Sequence, residues 1–209
     1  MTTFEHAMLG TTGALAVGLH HRGWQIVGLA GMAAVLPDWD GLSLLFGPTV
    51  FDQVHRTAGH SLITATLVAV VFAAVEYRLR LLRRCACFLG RRVEGLPVDP
   101  HSDDEDLARE GLLIWSLTAV AASASHLAAD LLFSGHASLS DWGLKLFWPL
   151  SDRVFVYPAV HWGDPVPTIL LVAGMFAMLR WRTRLQRLAT LTLAALVGYI
   201  ALRATVLPY

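Results

Sequence analysis

Charge is the scarcest property of this sequence. Only 15% of its 209 residues are Asp, Glu, Lys or Arg, where a water-soluble domain carries about a quarter. Sixteen basic residues balance sixteen acidic ones, leaving no net charge and no electrostatic footprint for nucleic acid. Cysteine is nearly absent. Cys85 and Cys87 stand one residue apart among arginines, a spacing that neither closes a disulfide readily nor matches a two-plus-two zinc pattern. We read both as filler beside a membrane. The N-terminus lacks a basic leader and a small-residue cleavage site, which predicts that no signal peptide is removed. Internal repeats and low-complexity tracts are missing too.

Apolar residues fill the space that charge leaves. They make up 55% of the chain, and the mean hydropathy is +0.54. Six apolar segments are visible, at about 4–19, 24–36, 61–77, 111–133, 166–179 and 188–207. A span needs ~20 residues to cross the hydrocarbon layer. The fourth and last meet that, while the first, second and fifth are short enough to be tilted or partly inserted. Lipid offers no partner to an unpaired backbone group, so helix is the expected form. The predicted fold is all-α: one membrane-embedded domain over residues 1–209, a polytopic bundle of about five to six transmembrane or partly inserted helices.

Local signals agree. Thr2 with Glu5, and Ser102 with Glu105, fit capping boxes. Asp164 before Pro165 fits an N-cap with proline at the first helical position. Residues 94–110 read as an acidic polar linker. Residues 134–165, rich in Trp, Phe and Tyr, read as a folded loop at the interface, with Trp142, Trp148 and Trp162 as anchors.

Arginines orient the chain. Arg22, the group Arg78, Arg80, Arg83, Arg84, Arg91 and Arg92, and the group Arg180, Arg182, Arg184 and Arg187 follow the first, third and fifth segments. With six spans all three fall on one side, which the positive-inside rule makes cytoplasmic. Arg56, Lys145 and Arg153 fall on the other. The 37–60 and 134–165 loops and both termini then face outward.

The remaining polar residues collect at that outward end. His6 opens the first segment, Asp38 and Asp40 follow the second, His55, Arg56 and His60 precede the third, and His126 and Asp130 close the fourth. The orientation came from arginines alone, so the agreement is independent of it. His126 and Asp130, four apart, project from one helical face, as a helix would present two ligands to zinc. Asp38 and Asp40, two apart after Pro37, can aim two carboxylates at one point from an extended backbone. Each motif alone has a structural reading: a His–Asp hydrogen bond between helices, an Asx turn ending the second segment, or interfacial histidines before a helix capped by Ser61. Burying such groups in a membrane is costly unless they are paired, wet or metal-bound, and four elements would have to coincide. His20 and His21 fall on the arginine side, His101 in the linker, and His136 and His161 in the outer loop.

At these residues the chain resembles the bacterial and archaeal membrane-bound metal-dependent hydrolases, a family that includes LexA-regulated inner-membrane proteins. The shared pattern is an early histidine, P-D-x-D, H-R-x-x-x-H-S, then H-x-x-x-D followed by glycine and a W/L-P stretch. Here it reads His6, Pro37 to Asp40, His55 to Ser61, His126 and Asp130, Gly135, and Trp148 with Pro149. A more distant similarity is to the zinc-dependent phospholipase C group, whose further glutamate ligand has no counterpart here. The resemblance implies hydrolysis. The residues and the resemblance together predict one or two divalent ions, Zn²⁺ first with Mn²⁺ or Fe²⁺ as alternatives, held among His6, Asp38, Asp40, His55, His60, His126 and Asp130. Asp40 would take a proton and Arg56 would stabilise phosphoryl oxygens. The expected protein is an inner-membrane phosphoesterase acting on a lipid or lipid-linked substrate at the extracytoplasmic face. The alternative is a cation or proton-coupled transporter using the same cluster.

Overall fold

A computed structural model describes residues 1–90, 104–135 and 142–205. Eight α-helices appear among them: α1 Thr3–Ala16, α2 Trp24–Ala33, α3 Pro48–Val54, α4 Leu62–Leu79, α5 Leu81–Gly90, α6 Asp104–Leu132, α7 Pro165–Arg180 and α8 Leu185–Thr205. The fold is all-α. Among the described residues, extended pairing is limited to two isolated bridges, Gly135 with His161 and Leu144 with Phe155.

Three stretches are long and apolar enough to cross a membrane: Leu62–Leu79, Gly111–Leu132 and Arg182–Thr205. A fourth arises if α2 and the 3₁₀ helix Leu36–Phe46, bent by 44°, form one broken span. This is fewer than the six apolar segments suggest, and the reason is length. The 14 residues of α1 and 16 of α7 reach about 21 and 24 Å at 1.5 Å per residue, short of a ~30 Å hydrocarbon layer.

Lipid is as apolar as leucine, so helices in it associate through close approach of small residues. On α4 the buried positions are Ala65, Ala69, Ala73 and Glu76, one stripe along the helix. Ala69 and Ala73 share a core with Trp115, Ala119 and Ala122 of α6, and Ala65 packs with Leu127 of the same helix. The opposite faces carry exposed Leu67, Val71, Leu117, Phe176 and Val197, turned to where lipid would lie. Between α1 and α2 the approach is closer still: a Cβ on Gly10 would stand 2.6 Å from the Ala30 carbonyl oxygen and from the Ala34 Cβ.

The caps read from sequence are present at three helix starts. Thr2 and Glu5 close a capping box on α1, Ser61 accepts from Thr64 N on α4, and Asp164 accepts from Val166 N ahead of Pro165. Ser102 lies outside the described residues, as do 94–103 of the acidic linker. α6 begins at Asp104 and is broken at Gly111, where φ is +61°.

Two features depart from the sequence reading. The 37–60 connection is helical through Val54, as a 3₁₀ helix followed by α3. Pro37 sits in the first turn of that 3₁₀ helix, where its missing N–H costs nothing. Arg203, in the last turn of α8, is a further cation at the site end, so the arginine bias is less complete than the clusters alone imply. The clusters themselves hold: His20 and His21 share a recess with Arg182, Arg184 and Arg187, and Arg78, Arg80, Arg83 and Arg84 line another.

The described part of 134–165 folds back on the end of α6. Trp142 N donates to Ser134 O at 2.8 Å, and Ala159 N and Val160 N both donate to Leu132 O at 3.0 Å. Leu62 N, in the unpaired first turn of α4, donates to Leu146 O at 2.9 Å.

Gly10→Leu is expected to force α1 and α2 apart and lower stability by about 1–3 kcal/mol. Gly13→Ala, where an added Cβ meets open space, should be neutral or stabilising by up to about 1 kcal/mol. Thermal unfolding of both variants in detergent tests this; equal effects would refute the close α1–α2 approach.

Candidate metal centre

His126 and Asp130 face one way from the last two turns of α6, and both are buried, at 0% and 2% exposure. Four other elements deliver side chains to them. α1 brings His6, whose Nε2 lies 3.1 Å from Asp130 Oδ1 and whose ring stacks on His126 with centroids 3.6 Å apart. The 3₁₀ helix brings Asp38 and Asp40. The turn before α4 brings His55, Arg56 and His60. The folded loop brings Trp142.

Asp38 and Asp40 do not aim at one point, as an extended backbone would allow. They lie on a helix of three residues per turn, so two positions apart they diverge and approach His60 from opposite sides. Asp40 Oδ2 meets His60 Nδ1 at 3.1 Å; Asp38 Oδ1 lies 3.6 Å from His60 Nε2. Asp40 is fully engaged. Its Oδ1 also meets His55 Nδ1 at 2.8 Å, and its Oδ2 accepts from Gly59 N at 3.2 Å. Gly59 is required here, because a Cβ on it would stand 2.1 Å from Pro37 O. Any larger residue would push the His60 turn away from the aspartates.

The second nitrogens of two histidines carry the argument about metal. His126 Nδ1 lies 2.7 Å from Ala34 O. A carbonyl can only accept, so that nitrogen holds the hydrogen and Nε2 presents a lone pair. His60 Nδ1 is likewise committed to the Asp40 carboxylate. The two Nε2 atoms then face each other at 3.1 Å. Asp130 Oδ2 lies 3.2 Å from the first and 3.6 Å from the second, and Asp38 Oδ1 lies 3.5 Å from His126 Nε2. One ligand atom from each of Asp38, His60, His126 and Asp130 lies within 4.8 Å of all the others. Two lone pairs and two carboxylates converging on one point repel unless a cation or a proton sits among them. Two imidazoles and two carboxylates suit a four-coordinate Zn²⁺ or a related ion, so the residues fit the metal. Asp40, His55 and His60 make a second convergent group. His6 belongs to neither; it backs Asp130 from the far side.

Arg56 completes the site. Its guanidinium donates to Trp142 O through Nη1 at 2.7 Å, pairs with Asp130 Oδ2 through Nη2 at 3.3 Å, and lies over the Trp142 ring at 4.2 Å. Its backbone is left-handed, φ +63°, an uncommon conformation for a side chain of this size. Burial pulls its pKa below the ordinary value, against the carboxylates of Asp130, Asp38 and Asp40. A cavity of about 280 Å³ opens beside it, lined among others by Thr3, Asp38, His55, Asp130 and Trp142.

Several partners were missed at the sequence level. Ala34 acts through its carbonyl, which no residue type announces. Gly59 stood inside the H-R-x-x-x-H-S motif without a role. Trp142 was read as an interfacial anchor, and the structure sets it against Arg56. Thr3 donates to Asp38 Oδ2 at 2.8 Å, and the amino nitrogen of Met1 lies 2.8 Å from Asp130 Oδ1. His20 and His21 sit away from the site, in the recess with the arginines; His136 lies outside the described residues.

Fold and site together define a multi-pass α-helical membrane protein with a buried His/Asp cluster at one end of its bundle. The chain belongs to the YdjM inner membrane protein family, whose model matches residues 1–207. No curated protein and no solved structure matches it. Membership places it in the inner membrane.

His60 would make metal binding at this cluster pH-dependent. Burial alone would push its imidazole down, but the carboxylates of Asp130 and Asp40 hold it up, to about 9. Without metal it therefore keeps both ring protons at neutral pH, and an ion at Nε2 must displace one. Because the folded pKa is raised, this proton stabilises the metal-free protein fully below the ordinary histidine value near 6.5, and the effect is lost as pH rises through about 9. Metal affinity should run the other way, tightening about tenfold per pH unit through the neutral range and levelling near pH 9. Competition titration against a zinc chelator measures this; a flat profile would contradict it.

Proposed function

We propose that the protein is a membrane-bound metal-dependent hydrolase, a phosphoesterase acting on a lipid or lipid-linked substrate at the outer membrane face. The observation that carries this reading is the pair of histidine Nε2 atoms facing each other at 3.1 Å between two carboxylates. Such a set wants a cation, and it stands beside a cavity that also exposes an arginine. The outward placement rests on the arginine bias toward the opposite end. A site at a membrane surface meets headgroups directly, which favours a lipid over a soluble ester.

Asp38, His60, His126 and Asp130 would hold the ion, with Zn²⁺ preferred over Mn²⁺ or Fe²⁺. One ion suffices, because Asp40 and His60 Nδ1 satisfy each other and would have to part to hold a second. When bound, such an ion acts as a Lewis acid and lowers the pKa of a coordinated water to about 7. The chain's own groups do the rest. Asp40 and the Ala34 carbonyl fix the two imidazoles, as outer partners of metal ligands usually do. Asp40 is therefore a positioning residue, not the proton acceptor. Asp38, which accepts a hydrogen bond from the Thr3 hydroxyl and whose side chain is 18% exposed, has the spare capacity to accept a proton at the cavity. Arg56 is buried with its Nε lacking a hydrogen-bond partner. That N–H suits a phosphoryl oxygen as charge builds, and Trp142 holds the guanidinium plane for it.

Transport is the second reading, favoured by His60 and His126 touching across a protonatable contact. Transport sites sit near the midplane, often at broken helices between repeats. Here the ligands occupy helix ends and no repeat is visible.

Elemental analysis of detergent-purified protein should find about one equivalent of zinc or manganese, absent from His126→Ala/Asp130→Ala. Arg56→Lys should keep the metal yet slow hydrolysis of lipid phosphoesters by about 10²–10³-fold. Wild type that binds no metal after supplementation would sink the hydrolase. Metal-dependent flux in proteoliposomes without hydrolysis would favour transport.

A further inference from the structure

Two cavities follow one another along the bundle, from the level of Gly10 and Ser125 to the end opposite the His/Asp cluster. The first is an apolar groove of about 500 Å³ between α1 and α6. On α1 it is walled by Leu9, Gly10, Gly13, Ala14 and Val17, and then by Leu19 beyond the helix. On α6 it is walled by Ile114, Leu117, Thr118, Ala121, Ala122 and Ser125. Both sets recur every three to four residues, so each is one helical face. The groove runs about 13 Å along α1 from Gly10 to the level of Leu19. The second is a recess of about 740 Å³ starting one residue further on, lined by His20, His21, Arg182, Arg184, Gln186 and Arg187 among others, with no acidic residue in its lining. α8 ties the two together. Leu193 flanks the groove and Gln186 the recess; seven apart, they share a helix face. A Cβ on Gly18 would lie 3.4 Å from Gln186 Nε2, so the chain crosses from one cavity to the other at that contact.

We propose that this composite cleft binds one anionic phospholipid from the leaflet at the arginine end. Its phosphate sits among Arg182, Arg184 and Arg187, with His20 and His21 beside it, and one acyl chain lies in the α1–α6 groove. The occupant follows from the chemistry of the two halves. The groove wall is small and apolar, and its outer side is where lipid lies; the recess carries only cationic and neutral groups. Basic pockets between membrane helices at that level recognise anionic headgroups. A soluble anion would leave the groove without a role, and a zwitterionic lipid would leave three arginines without an excess of negative charge. The headgroup recess is remote from the metal centre, and although the groove's far end at Gly10 and Ser125 comes near it, the proposal does not depend on what that centre does.

The test is native mass spectrometry and thermal unfolding of the full-length protein, delipidated in detergent. The probes are phosphatidylglycerol, phosphatidylcholine with the same chains, and inorganic phosphate. The expected result is a retained phosphatidylglycerol adduct and a rise in Tm with that lipid alone. Arg184→Gln/Arg187→Gln should weaken its binding by about fivefold per arginine removed. Gly13→Leu, placed where an added Cβ meets open space, should displace the chain and abolish the adduct without lowering the apo Tm. Equal binding of the two lipids would overturn the headgroup assignment. A full shift with phosphate alone, or an adduct undiminished in Gly13→Leu, would overturn the groove. Since the lipid comparison uses wild type, failure of a variant to fold leaves the proposal open to refutation.

Discussion

Asp130 is almost fully buried near the end of a membrane helix, and its two oxygens gather four cationic or polarised groups from the rest of the chain. Oδ1 takes the amino nitrogen of Met1 and His6 Nε2; Oδ2 takes Arg56 Nη2 and His60 Nε2. Through these contacts α1, the turn before α4 and α6 are drawn to one point. A carboxylate removed from water costs several kcal/mol unless its partners are well placed, and so each partner is itself held. Arg56 lies against Trp142 and its carbonyl, and His60 against Asp40. The surrounding fold, down to the left-handed backbone at Arg56 and the missing side chain at Gly59, can be understood as what keeps those partners within reach.

Four histidines meet in this region, and what distinguishes them is the nitrogen that faces away from the centre. His126 and His60 each have Nδ1 committed to an acceptor, which turns Nε2 to the centre as the atom that could hold a cation. His55 spends its Nδ1 on Asp40 and leans its edge toward His60, with ring centroids 5.2 Å apart. His6 turns Nε2 to Asp130, and its Nδ1 has no hydrogen-bond partner. The outer contacts thus single out His60 and His126, with Asp38 and Asp130, as the group best arranged to hold a cation, beside the second group of Asp40, His55 and His60. The same logic separates the aspartates. Asp38 keeps an oxygen directed at the two Nε2 atoms, whereas Asp40 is consumed in orienting imidazoles.

Much of this was legible in the sequence because periodicity carries it. The i, i+4 spacing of His126 and Asp130 and the compact H-R-x-x-x-H-S turn fix which side chains share a face, and the arginine clusters fix which helix ends lie together. What could not be read is backbone. The Ala34 carbonyl, Gly59 and the 3₁₀ path of 36–46 act through main-chain position, which residue type barely records. The apolar pattern after Pro37 (Leu42, Leu44, Leu45, Phe46) looked like a loop because no polar face marks a short helix lying at an interface. Segment length was legible as well: the first and fifth apolar segments are short in the sequence, and α1 and α7 are short in the structure.

The two ends of the bundle answer to different rules. At the arginine end, charge is spread over exposed side chains, where water and headgroups can satisfy it. At the other end, charge is concentrated and buried, and it is held by mutual contacts, with His6 Nδ1 and Arg56 Nε left without hydrogen-bond partners. A transporter needs its charged site accessible from both sides in turn, which asks for loose packing around the ligands and a polar route through the bilayer. Here the site is backed, on the side facing the membrane interior, by the close contact of Gly10 with Ala30 and Ala34. Ala34 is also the residue whose carbonyl fixes His126. The wall that would have to open for passage is thus the wall that sets the ligand geometry, so opening it would dismantle the site. Hydrolysis makes no such demand, because substrate and product can use the same cavity mouth. The packing therefore supports the proposed chemistry at one face over passage through the bilayer.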